Sequence, residues 1–298
     1  MLAPAKMSGP TPSLPDARCL RLMHSWLLAA VVTVVSGMLW AWIFSGQQWE
    51  TPEPPRVQGE ALELIGEGVA RHRPEALALT VREFQNTWSS LSYVLIGVAM
   101  ALRATSFAGR LVGLALVGLG WGCGIYHASI MPAWRLFDII GMYWVVYALI
   151  VYGAVGLLRR SPLCGWAGNL LGLSVGIAAI ATAVHRNDWR PLGVKIFDST
   201  YVAVWGFFLV GLLVVIAVWQ AKPAIRGKAI VWGIGSLLGI GMAATCQLGD
   251  RVGSFLFAPQ AFIQAHAVWH LLTAVAVGMA YEVFRVRWHD APLFAQSD

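Results

Sequence analysis

The sequence predicts an all-α membrane protein, a seven-transmembrane-helix bundle preceded by one extra N-terminal transmembrane helix. Of the 298 residues, 58% are hydrophobic and only 12% are charged, whereas soluble domains carry about 25% charged residues. Eight apolar segments are long enough to cross the hydrocarbon core of a bilayer, which takes about 20 residues of helix. These features exclude an ordinary soluble domain and a low-complexity chain.

The cysteines and the charge distribution exclude two further classes of protein. The chain has four cysteines; three of them lie inside apolar stretches, and none forms a CxxC pair, so neither a disulfide miniprotein nor a cysteine-clip metal site is predicted. The net charge of +6 is spread over short connectors. Because no single basic stripe results, nucleic acid is not an expected partner.

The first span, near 22–45, ends with Trp40 and Trp42, which we expect at the headgroup level of the membrane. Its length and the lack of a small-residue cleavage site favour a retained anchor over a signal peptide. A Pro- and Glu-rich connector, 46–81, separates this helix from the other seven. Those seven spans lie near 82–103, 109–129, 135–158, 163–184, 197–219, 229–248 and 262–284.

The basic residues orient the chain. When the spans are threaded through a membrane, one side receives twelve of the 21 Lys and Arg residues but only four of the 15 acids, and the positive-inside rule makes that side cytoplasmic. The predicted organisation is a cytoplasmic tail, the extra helix, an extracytoplasmic connector, a seven-helix domain and a second cytoplasmic tail. These occupy residues 1–21, 22–45, 46–81, 82–285 and 286–298.

Polar side chains inside spans are costly, so their positions indicate function. His127, Asp138, His266 and His270 all fall in the outer half of the predicted bundle. They come from spans at both ends of the seven-helix unit. We therefore expect these four residues to converge near the extracytoplasmic surface.

The spacing of the histidines predicts a zinc site. His266 and His270 are four residues apart, so on a helix both imidazoles project from one face. His127 would complete three ligands with one open position for water, the pattern of catalytic zinc. The residues between the histidine pair include no glutamate, so Asp138 is the candidate to hold or deprotonate that water.

Other interpretations of these residues remain open. Each histidine alone could be an interfacial or hydrogen-bonded residue instead of a ligand. Haem ligation by His127 and His270 is another alternative, but it leaves Asp138 and one histidine unexplained. A transporter is disfavoured because no charged relay crosses the inner half of the spans.

Three segments resemble signature blocks of the alkaline ceramidases, part of a wider superfamily of seven-helix membrane hydrolases that includes the adiponectin-receptor type. They are EFQNTWSS (83–90), GWGCGIYHASIMPAWRLFD (120–138) and HAVWHLLT (266–273). The resemblance covers roughly 82–285. Its most specific elements are the eleven-residue spacing from histidine to aspartate and the HAxWH pattern.

The resemblance implies a zinc-dependent amidohydrolase that cleaves the N-acyl bond of ceramide to a sphingoid base and a fatty acid. By position, His127, His266 and His270 would bind zinc, and Asp138 would orient and activate water. Glu83 would correspond to one ligand of a calcium site near the outer surface, or to a residue that supports the zinc ligands.

Two departures from the family pattern affect these expectations. Cys123 occupies the place of a serine that helps to polarise the reacting carbonyl, and a thiol is a weaker donor than a hydroxyl. Cys123 would be a small buried residue, a modest donor to the oxyanion, or a fourth zinc ligand that closes the site. The acidic segment that supplies most calcium ligands is missing, and a solvated acidic loop also accounts for Glu63, Glu67 and Glu75.

The expected partner is a ceramide-like membrane lipid that enters from the outer leaflet. Alternatives are a hydrolase of another N-acyl or ester lipid, or a seven-helix receptor or scaffold with structural zinc. Short connectors and the absence of a retrieval signal favour a bacterial inner membrane over an endomembrane, with the site on the extracytoplasmic side. The sequence does not indicate an oligomeric state.

Overall fold

The computed structural model describes residues 17–44, 83–157, 174–182, 199–250, 255–256 and 263–289. Every regular element in these ranges is an α-helix, and they contain no strand. The predicted all-α class is therefore confirmed. The helices are α1 (Ala17–Phe44), α2 (Phe84–Ser89), α3 (Leu91–Arg103), α4 (Phe107–Ser129), α5 (Pro132–Leu157), α6 (174–182), α7 (Ser199–Trp219), α8 (Pro223–Gly249) and α9 (Ala265–His289).

Several of these helices are suited to a membrane. Five are long and apolar enough to cross one: Leu22–Trp40, Phe107–Ser129, Ala133–Leu157, Pro223–Gly249 and Ala265–Arg287. Large apolar side chains also cover outward-facing surfaces, among them Trp205, Phe208 and Trp219. A water-soluble surface rarely carries such extensive apolar area, so the protein is membrane-embedded.

Some predicted segments lie outside the described residues. They are the connector 46–81 with Glu63, Glu67 and Glu75, most of the first tail, most of the last tail, and all of the span 163–184 except 174–182. The count of seven helices plus one therefore stays a prediction.

The predicted span 82–103 is divided in two at Ser90. The Ser90 N–H bonds to the carbonyl oxygens of Asn86 and Thr87, and the Ser90 hydroxyl donates to the Asn86 carbonyl at 2.8 Å. A serine hydroxyl that bonds to the carbonyl four residues before it competes with the backbone bonds and bends a helix. Ser90 is thus the junction between α2 and α3, and α2 contacts α9.

A tight turn joins α4 to α5. Ser106 begins α4 by accepting a hydrogen bond from the Gly109 N–H at 3.1 Å. At the other end Ile130 adopts the left-handed conformation, with φ of 56°, which is uncommon for a branched side chain. Pro132 begins α5 at once, as proline often does in a first helical turn. The end of α4 and the start of α5 are thus held side by side.

Helix α9 lies at the centre of the bundle, where it contacts α2, α3, α4, α5, α7 and α8. At its C-terminal end Glu282 pairs with Arg103 of α3 at 2.8 Å and with Arg285 at 2.7 Å. His270 lies twelve residues earlier in the same helix, about 18 Å away at 1.5 Å per residue. The polar groups of α9 therefore cluster at its two ends.

Glycines allow α3 and α4 to cross closely. A Cβ added at Gly113 would lie 2.6 Å from the Gly97 carbonyl oxygen, and one added at Gly97 would lie 2.7 Å from that of Gly113. Small residues at such crossings let helix backbones approach in membranes. This contact sets the separation of α3 and α4.

The two tryptophans at the end of the extra helix have different surroundings. Trp42 is 74% exposed, but Trp40 is fully buried within the protein; the headgroup depth expected for the pair stays a prediction. Its ring packs against α4, where Gly124 leaves room for it.

We expect Gly113→Ala to lower the thermal stability of the purified protein, because its new methyl group would overlap the α3 backbone. Overpacking of this kind costs about 1–3 kcal/mol. Gly227→Ala is the matched control, since no atom lies within 4 Å of its added Cβ and alanine favours helix over glycine. Equal melting temperatures for the two variants in detergent would contradict the close crossing.

Candidate metal centre

Three histidine rings meet at one end of the bundle. His127, near the end of α4, has its ring centroid 4.9 Å from that of His266 and 5.2 Å from that of His270. The two α9 rings are 4.7 Å apart, as expected for residues one helical turn apart on one face. The structure thus brings together all three histidines that the sequence singled out.

Cys123 belongs to the same cluster. It lies one turn before His127 on α4, and its Sγ is 3.3 Å from Nε2 of His270. Donor atoms of Cys123, His127 and His270 lie within 4.8 Å of one another, and all three residues are buried. Tetrahedral zinc ligands lie about 3.5 Å from each other. The donors therefore need only small shifts to share an ion, with His266 alongside.

Each histidine in the cluster has an oxygen partner at Nδ1. The pairs are His127 with the Glu83 carboxylate, His270 with the Ser89 hydroxyl at 2.8 Å, and His266 with the Asp250 carboxylate at 3.7 Å. Metal-binding histidines nearly always engage their second ring nitrogen in this way, which orients the ring. The donor group that could hold an ion comprises Cys123, His127 and His270, and the His266 ring lies beside it. Cysteine and histidine donors suit a zinc ion.

Glu83 is held firmly behind His127. Its carboxylate accepts a hydrogen bond from the Asn86 amide at 2.9 Å, and its N–H donates to the His127 carbonyl at 3.0 Å. Only 3% of Glu83 is exposed, and a buried carboxylate is tolerated when it is paired and hydrogen-bonded. Of the two roles expected for Glu83, this contact favours support of a metal-binding histidine.

Ser90 connects the two sides of the cluster. Its hydroxyl lies 3.2 Å from the Cys123 Sγ and 3.4 Å from Nδ1 of His270. The break between α2 and α3 therefore puts two consecutive serines, Ser89 and Ser90, against His270. Cys123 accordingly lies among donor groups instead of in purely apolar packing.

Asp138, in the second turn of α5, is the predicted acid. Its carboxylate is near enough to the Cys123 thiol and to His127 for electrostatic interaction. Gly122 permits the close approach of α5 to α4, because a Cβ there would lie 3.1 Å from the Phe137 carbonyl and 3.2 Å from the Asp138 nitrogen. Asp138 therefore lies near the cluster on its α4 side, and its role as the acid stays a prediction.

The sequence does not single out all of the residues that support the cluster. Ser89 is one of several polar residues at the end of a predicted span. Asp250 follows α8 in a connector, and no local pattern distinguishes it from other connector acids. Its proximity to His266 results from the packing of α8 against α9.

The geometry alone supports a function for this site. Comparisons of the chain with protein-family models, with curated proteins and with solved structures found no match. What is shown is a buried Cys123, His127 and His270 group that could hold a metal ion, in a bundle of apolar helices.

We expect His270→Ala to lose stoichiometric zinc, because it removes the donor that faces both Cys123 and His127. Metal analysis of the purified, folded protein is the measurement. His24→Ala is the control, since His24 is exposed on α1 and far along the chain from the cluster. A His270→Ala protein that keeps its zinc would refute the metal centre.

Proposed function

We propose that the protein is a zinc-dependent membrane amidohydrolase that cleaves the N-acyl amide of ceramide, or of a related lipid, to a sphingoid base and a fatty acid. The convergence of three histidine rings carries the proposal, and His127 and His270 are each oriented by a hydrogen bond at Nδ1. Three histidine ligands with an open fourth position are typical of catalytic zinc. The acid needed for proton transfer is next to them.

The resemblance to the alkaline ceramidases suggests which bond is cleaved. Residues of all three similar blocks contribute to one cluster: Glu83 and Ser89 from the first, Cys123, His127 and Asp138 from the second, and His266 and His270 from the third. Sequence blocks distant along the chain thus share a single site. This agrees with one shared chemical role for the blocks.

Each residue has a role in this reaction. His127, His266 and His270 would hold zinc, which when bound polarises a carbonyl and lets water be activated near neutral pH. Asp138 takes the proton of the attacking water and returns it to the leaving nitrogen, as a general base and then a general acid. The Cys123 thiol, beside Asp138, donates to the oxygen that gains negative charge.

An apolar cavity beside the cluster supports a lipid substrate. Its volume is about 610 Å³, within the range of roughly 300–1,000 Å³ that is usual for ligand sites. Helices α5, α7, α8 and α9 contribute its walls, which include Met142, Phe207, Leu237, Gln247, Trp269 and Thr273. Trp269 and Thr273 of the lining lie one and three residues from His270 in α9, so the cavity and the cluster share one stretch of this helix.

The cavity also reaches the outside of the bundle among the described helices. Phe208 and Leu212 of α7 and Leu248 of α8 line it and are themselves exposed. An acyl chain could therefore enter sideways from the membrane, with its amide toward His270. A soluble substrate would gain little from such walls.

We also propose a bacterial inner membrane as the location, with the site on the extracytoplasmic side. The support is the excess of Lys and Arg in the connectors of the opposite side. Arg103 and Arg285 lie at that opposite end, where they pair with Glu282.

One observation favours a second candidate function, a seven-helix scaffold with structural zinc. The Cys123 sulfur lies among the donors, and a thiolate there would complete a closed Cys and three-His site. Such a site would have no open position and no turnover.

The Asp138→Asn variant tests the proposed hydrolase activity. We expect the wild-type protein to release fatty acid from ceramide within a panel of N-acyl and ester lipids. Asp138→Asn should keep its zinc and lose about 10²- to 10⁴-fold in turnover, the usual contribution of a general acid or base. Stoichiometric zinc in a wild-type protein that hydrolyses no lipid of the panel would favour the scaffold instead.

The Cys123→Ser variant replaces one sulfur atom by oxygen, and it distinguishes the hydrolase from the scaffold. If the thiol donates to the reacting carbonyl, serine should keep zinc and retain or raise turnover, because a hydroxyl is the stronger donor. Zinc content and fatty-acid release are measured on the same preparation. Loss of zinc from this variant would instead identify the thiolate as a ligand of a closed site.

A further inference from the structure

Helix α1 docks directly behind the metal centre, by way of Trp40. Most large apolar side chains of α1 are exposed, but Trp40 is completely buried. Ala29, Ser36 and Gly37 are the other buried positions of this helix in the part whose side chains are described. One narrow stripe of α1 therefore makes its contact with the bundle, and Trp40 is the largest side chain in that stripe.

The Trp40 ring lies against the backbone of α4 at Gly124. A Cβ added at Gly124 would be 2.1 Å from one ring atom and 2.6 Å from two others, far inside a van der Waals contact. Gly124 follows Cys123 and precedes His127 by three residues, and both of these side chains point to the cluster. Trp40 therefore supports the ligand-bearing turn of α4 from the opposite side.

The same indole also supports the turn that carries the two serines. Its ring centroid is 6.4 Å from that of Trp88, the residue before Ser89, and 5.6 Å from that of Trp121 on α4. Gly37, one turn earlier in α1, brings the helix close to the Trp88 and Leu91 side chains. Helix α1 thus fills the gap between α4 and the α2–α3 junction.

We propose that Trp40 is a positioning residue of the metal centre. By filling this gap, Trp40 sets the distance between two halves of the cluster. One half is Cys123 and His127 on α4, and the other half is His270, which Ser89 orients. This inference rests on the proposed metal function. Metal–ligand distances tolerate deviations of only about 0.2 Å, so a small shift of one helical turn changes how well an ion is held.

The assignment gives the extra helix a role. All candidate ligands and their partners lie in the seven-helix unit, from Glu83 onward, whereas Trp40 precedes it. The indole packs against Gly124 and Trp88, so its effect would be transmitted through these two residues. A helix that only anchored the chain would need no indole inserted at this depth.

Paired tryptophan substitutions in the full-length protein test the inference. Trp40→Ala should weaken zinc binding by about 10- to 100-fold, the range found when partners that orient metal ligands are removed. It should also change the visible absorption of the cobalt-substituted protein, which reports ligand geometry. Trp42→Ala, on the same helix at an exposed position, should match the wild type in both measurements.

A second pair of variants keeps the test decisive if Trp40→Ala does not fold. Gly124→Ala should show the same loss of zinc affinity, because its methyl group displaces the indole. Trp40→Phe combined with Gly124→Ala should recover most of that loss, since a smaller ring leaves room for the methyl group. Recovery of this kind is not expected if Trp40 contributes only general stability.

The outcomes separate this inference from the proposed function. If Trp40→Ala and Gly124→Ala lower only the melting temperature, with zinc affinity and the cobalt spectrum unchanged, Trp40 is ordinary packing and the inference is wrong. If the wild-type protein binds neither zinc nor cobalt, the metal centre is refuted, and the positioning role with it.

Discussion

The end of the bundle that carries the histidine cluster depends on one constraint: imidazoles and carboxylates buried among apolar helices must satisfy each other's hydrogen-bonding groups. An unpaired polar group in such surroundings costs several kcal/mol. His127 is satisfied by Glu83, His270 by Ser89, and His266 lies near Asp250. These partners come from α2 and from the end of α8, so the pairing also determines which helices surround α9. A metal ion would satisfy the nitrogens that remain.

Helix α4 makes this convergence possible because glycines on several of its faces let neighbours approach. Gly113 admits α3, Gly122 admits α5 with Asp138, and Gly124 admits the indole of α1. The two donors of α4 project between these contacts. Its position is thereby determined from three directions, which suits a helix that carries two candidate metal ligands.

The cluster and the cavity share helix α9. His270 faces the donors, while Trp269 and Thr273 of the same turns line the apolar space. The Thr273 hydroxyl bonds to the Tyr93 hydroxyl at 2.6 Å, and the Tyr93 ring lies 5.6 Å from that of His270. One helix thus carries both a candidate metal ligand and part of the cavity wall, which holds the two features at a fixed separation.

The sequence by itself determined the all-helical class, most of the helix positions, and the set of histidines with Asp138, because hydrophobic length and the cost of buried polar groups act locally along the chain. Only the tertiary structure decided how these residues meet. The helix break at Ser90, the partnership of Asp250 with His266, and the burial of Trp40 against Gly124 depend on which faces of distant helices come into contact. No local pattern records that choice, since a tryptophan at a span end and an acid in a connector have ordinary roles in most membrane proteins.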